Sequence, residues 1–66
     1  MRYAKQIYSK DPSYIEYVKV TDTTFEVYRD KVWMLSTVNY NWNHPLLKIE
    51  EIDKDEFEES IFLDNI

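Results

Sequence analysis

Apolar and polar residues alternate most regularly between Tyr14 and Val38, and this stretch reads as three consecutive antiparallel strands. A first turn at Thr21-Asp22-Thr23-Thr24 sets Val20 opposite Phe25, Lys19 opposite Glu26, Val18 opposite Val27, Tyr17 opposite Tyr28 and Glu16 opposite Arg29. Every opposed pair then matches in kind, and such cross-strand pairs contribute roughly 0.2 to 1 kcal/mol each. The same alternation sorts side chains by face. Val18, Val20, Phe25 and Val27 share the side expected to carry the core, whereas Tyr17, Lys19, Glu26 and Tyr28 share the other.

Two loop lengths compete at the second turn, Asp30-Lys31. A two-residue loop sets Tyr28 opposite Trp33 and lines up Tyr17, Tyr28 and Trp33 as an aromatic row on the side away from the core, a candidate binding surface. Such loops need positive φ and prefer Gly, which this chain lacks. A three-residue loop with a bulge shifts the register by one and turns Trp33 and Leu35 into the core. The pattern leaves both open.

The flanks are less regular. Arg2 to Tyr8 alternates without a cleanly apolar side, which suits an edge strand guarded by lysine. Ser9 to Ser13 reads as a turn around Pro12, or as a short helix start capped by Asp11. Asn39 to Pro45 is an Asn-rich loop whose Tyr40 and Trp42 fold back over one end of the core or anchor a partner. Leu46 to Glu50 offers a short additional strand. Beyond it, Asp53 at the N-cap with Glu56 three residues on resembles a capping box, and Ile52 before the cap can staple to Phe57. On that helix Phe57, Ser60 and Ile61 make a narrow seam, while Asp55, Glu56, Glu58 and Glu59 form an acidic back. Phe62, Leu63 and Ile66 fall off the seam, and the tail is expected to turn and bury them. Left exposed, they would invite a second chain.

The expectation is one α+β domain. An antiparallel sheet of three or four strands in meander order occupies about residues 2–38, an aromatic loop 39–45, and a helix of about 54–63 packs on one face.

Composition sharpens this. Sixty-six residues lie near the lower limit at which a core alone sustains a fold, and with no Cys and one His neither disulfide nor structural zinc can help. The 17% aromatic content compensates, because large rings remove much apolar surface from water per residue ordered. Absence of Cys makes the cytoplasm the default compartment. Arg2-Tyr3-Ala4-Lys5-Gln6 lacks the apolar run of a signal peptide, and no stretch is long enough to span a bilayer. Many Lys, Asn, Ile and Tyr beside few Ala, Arg, Gly and Pro match AT-rich codons, pointing to a low-GC bacterium or its phage. The net charge of −5 is unevenly spread: residues 1–48 hold seven Lys/Arg against five Asp/Glu, residues 49–66 one against eight.

Candidate chemistry is sparse. A single His cannot form the usual metal sets, and the acids from Asp53 to Glu58 lack the Gly and spacing of a calcium loop. Ser9, Ser13, Ser36 and Ser60 have only His44 as a possible base, and the missing Gly excludes Gly-dependent phosphate loops. Neither an enzyme nor a cofactor is expected. By exclusion, the chain is expected to be a non-catalytic module that binds another protein in an accessory or regulatory role. Its candidate anchors are Tyr17, Tyr28, Trp33, Tyr40 and Trp42, and a homodimer is a further possibility. One alternative is an acidic decoy in which Glu51, Asp55, Glu58 and Glu59 replace phosphates at a nucleic-acid-binding site. Another is a single-strand nucleic-acid binder that stacks bases on sheet aromatics. The latter is disfavoured, since Lys5, Lys10, Lys19, Arg29 and Lys31 are diluted by Glu16, Glu26 and Asp30.

Overall fold

Five strands and one helix form from this pattern: β1 (Arg2–Tyr8), β2 (Asp11–Val20), β3 (Phe25–Arg29), β4 (Val32–Ser36), β5 (Leu47–Ile52) and α1 (Lys54–Asp64). They are seen in a computed structural model that describes residues 1–64. The strands make one antiparallel sheet in the order β4-β3-β2-β1-β5, packed against the C-terminal helix, which is an α+β fold.

The predicted pairing of β2 with β3 holds residue by residue, from Val20 opposite Phe25 to Tyr17 opposite Tyr28. Its turn closes through the Thr21 amide donating to the Thr24 carbonyl at 2.9 Å, while the Thr24 amide donates to Thr21 Oγ1 at 3.0 Å. At the second turn the two-residue loop is the one formed. Asp30 and Lys31 take φ values of 51° and 65°, the paired positive φ of a type I′ turn, so Tyr28 faces Trp33 and Val27 faces Met34. The twist of this turn matches that of the flanking strands, which outweighs the steric penalty of two residues with a Cβ in the left-handed region.

β1 departs from the edge position expected of it. It lies between β2 and β5, with Ala4 and Gln6 buried. Its polar residues are accommodated by pairing: Gln6 is hydrogen-bonded on both ends and Lys5 pairs with Glu50 on β5 at 3.4 Å. Nor does Pro12 mark a long turn. The reversal is confined to Ser9 and Lys10, and Pro12 falls in β2 beside a register break, where Ile7 faces Ile15 but Tyr8 faces Asp11. A break of this kind tolerates the missing proline donor.

Both faces of the sheet are covered. Strand alternation puts Arg2, Gln6, Val18, Val20, Phe25 and Val27 on one face, and residues 37–46 cross over it to carry the chain from the β4 edge to the β5 edge. Tyr3, Lys5, Tyr17, Lys19, Tyr28 and Trp33 lie on the other, under α1. The helix packs on one face as expected, but on the side read as lying away from the core. The helix seats Phe57 against Tyr3 at 4.7 Å and Trp33 at 5.9 Å between ring centroids, on the aromatic side, while the Val18 side is roofed by the crossing loop.

Helix α1 starts where its cap requires. The Glu56 amide donates to Asp53 Oδ1 at 2.8 Å, and the Phe57 amide to the Asp53 carbonyl at 3.0 Å. Phe57 is buried, with Ser60 and Ile61 half-buried, as the seam predicts. The tail does not turn back. The helix continues to Asp64 and leaves Phe62 and Leu63 exposed, because consecutive helical positions diverge from the one seam that reaches the sheet; Ile66 lies outside the described residues.

Candidate functional site

The most polar cluster spans the loop face. Tyr40 Oη donates to Gln6 Oε1 at 2.6 Å, Gln6 Nε2 donates to Glu16 Oε1 at 3.0 Å, and Arg29 Nε donates to Glu16 Oε2. The Glu16 side chain is 1% exposed. Burial, with the Glu16 charge as the lesser cause, pushes the Tyr40 hydroxyl up to about 12, and the hydrogen bond that Arg29 donates to Glu16 raises the Arg29 pKa. Both carboxylate oxygens of Glu16 are engaged by neighbours, and among the described residues no buried side-chain polar atom lacks a partner. The cluster thus ties the crossing loop to the sheet.

The aromatic candidates divide between the two faces. Tyr17, Tyr28 and Trp33 do form one row, with Tyr28 and Trp33 at 5.1 Å, but this row is the floor beneath α1. Tyr28 is buried, Tyr17 half-buried, and Trp33 keeps an exposed side with Lys19 Nζ 5.4 Å from its ring. Tyr40 and Trp42 lie over the loop face. Tyr40 meets Phe25 edge-on at 5.1 Å and Trp42 at 4.9 Å, and the Arg2 guanidinium stacks on Trp42 at 3.9 Å. Their geometry is that of a lid, as the fold-back reading expects.

The acidic candidates are similarly divided. Glu51 accepts two hydrogen bonds from Arg2, at 2.9 and 2.7 Å, which hold its carboxyl below the usual range. Glu58 pairs with Lys54 at 3.7 Å, while Asp55 and Glu59 stand exposed on the helix back. A cleft of about 430 Å³ at the far end of the sheet has Tyr14, Tyr17, Arg29, Lys31 and Asp64 in its wall, with Asp30. Its charges are mixed in sign.

The feature that pattern reading passed over is β4. Val32, Trp33, Met34 and Leu35 are all apolar, occupy a sheet edge, and are each between 42% and 64% exposed. Two-residue loop geometry makes Arg29 and Val32 a hydrogen-bonded pair, so Val32, Met34 and Ser36 point their backbone groups at β3. Trp33 and Leu35 therefore direct their N–H and C=O groups outward. β5 at the opposite edge is guarded by Lys48, Glu50 and Glu51, whereas β4 has no charge, no proline and no bulge. A run of four apolar residues signals a strand covered on both faces, and that signal concealed the position.

No family model, curated protein or solved structure matches this chain. Among the described residues no group of acids and His could hold a metal ion, and no helix is long and apolar enough to cross a membrane.

Proposed function

We propose that this protein is a small non-catalytic module that acts by binding another polypeptide, with β4 as its docking strand. The observation that carries the proposal is the edge itself: an uncharged strand with apolar side chains exposed on both faces and an outward row of backbone donors and acceptors. Strand addition uses such an edge, the main chain supplying affinity and alternate side chains specificity. Trp33 is the sequence-predicted anchor that lies on it, and Leu35 shares its face. We read the role as accessory or regulatory, and a bacterial or phage source agrees with the codon-biased composition.

The acidic-decoy reading draws less support, because Glu51 and Glu58 are paired within the chain. Base stacking on the sheet aromatics is opposed by the helix over the Tyr17–Tyr28–Trp33 row.

A photo-crosslinking residue at Leu35, compared with one at Lys48 on the other edge, tests the proposal in cells of the source organism. Polypeptide adducts are expected at position 35 and not at 48. Equal labelling at both, or none at 35, counts against β4 as the docking strand.

A further inference from the structure

Resting on β4 as the docking strand, we propose that its partner is a second copy of this chain, paired antiparallel about a two-fold axis through Met34 perpendicular to the sheet. The outward backbone groups select this register. Trp33 of one copy then faces Leu35 of the other, and the two residues exchange both hydrogen bonds. Met34 meets Met34 as the non-hydrogen-bonded pair, where opposed Cα atoms lie about 4.5 Å apart and side chains approach closely.

Charge supports a second copy here. A chain of net charge −5 repels itself, yet β4 carries no charged residue, so no like charges face each other along the paired strands. The acid-rich strand β5 and the helix start that follows it lie at the other edge of each sheet. Self-pairing through β5 about its middle would instead set Glu50 near Glu50. Chemistry is self-complementary on both faces, Met34 against Met34 and Val32 against Ser36 on one, Trp33 against Leu35 on the other. Pairing these partly exposed side chains and two strand edges buries several hundred Å² in total, on the order of a weak or transient interface. The contact is isologous and closes as a dimer with a continuous ten-stranded sheet.

Analytical ultracentrifugation over a wide concentration range tests this, with expected dissociation in roughly the micromolar range for so small an interface. Met34→Lys and Met34→Glu are each expected to be monomeric, and an equimolar mixture of the two to form a heterodimer. Leu35→Pro, which removes an outward donor and leaves the β3 ladder intact, is also expected to be monomeric. Circular dichroism of each variant establishes that it is folded. Wild type that stays monomeric throughout overturns the proposal, as does a dimer that survives in both Met34 variants. A mixture that fails to pair overturns the two-fold at Met34. The crosslinker at Leu35 separates the two failures: a monomeric chain that labels a different polypeptide removes self-pairing and keeps β4 as the docking strand, while a monomeric chain without adducts removes both.

Discussion

At the scale of single residues, the loop face depends on one buried carboxylate. Glu16 is buried and held by Gln6 and the half-exposed Arg29, so removing the guanidinium leaves a buried carboxylate with one partner fewer. Arg29→Ala is therefore expected to destabilise the fold by about 1 to 3 kcal/mol in urea unfolding. Tyr40 gives a pH signature of the same cluster. Its hydroxyl ionises at about 12 in the folded chain and near the ordinary tyrosine value of about 10 when unfolded, so the folded state keeps a proton that the unfolded state loses. Stability from this group is complete below pH of about 10 and falls as pH rises towards about 12. Absorbance titration of the native protein should show a late tyrosinate step that Tyr40→Phe removes. Lys31, with φ of 65°, bears a steric penalty that glycine does not. Lys31→Gly should raise stability by about 1 kcal/mol, read from the urea midpoint.

Among the elements, α1 is held by its first turn and a single seam. With Asp53 as the cap and Phe57 as its one buried side chain, Asp53→Ala should weaken the protein by about 0.5 to 2 kcal/mol without changing the unfolding slope. β1 shows how an element's place escapes its own pattern. Its mixed sides resemble an edge strand, but Gln6 and Lys5 find partners on Glu16, Tyr40 and Glu50 that lie 10 to 45 positions away along the chain. β4 errs in the opposite sense. Its apolar run resembles a covered strand, yet β4 lies at the sheet edge with these side chains exposed.

For the whole molecule, a sheet covered on both faces by only a loop and an 11-residue helix leaves one edge open. If that edge pairs with itself, the melting temperature must rise with protein concentration, because association stabilises the folded form by mass action. Differential scanning calorimetry over a range of concentrations should show this rise in wild type and lose it in Met34→Lys.

Local contacts wrote themselves into the order of residues: the β2–β3 register, the Asp53 cap, the Phe57 seam and the α+β class were legible because each joins residues near one another in the chain. The choice between loop lengths at Asp30-Lys31 was not, since the twist of the assembled sheet outweighs a residue preference for glycine. Which face each layer covers, the central place of β1 and the open edge at β4 were decided only by the tertiary structure. These depend on where residues 37–46 carry the chain across the sheet, and a crossing is fixed by distant partners such as Gln6 with Tyr40 and Arg2 with Trp42, which no local pattern encodes.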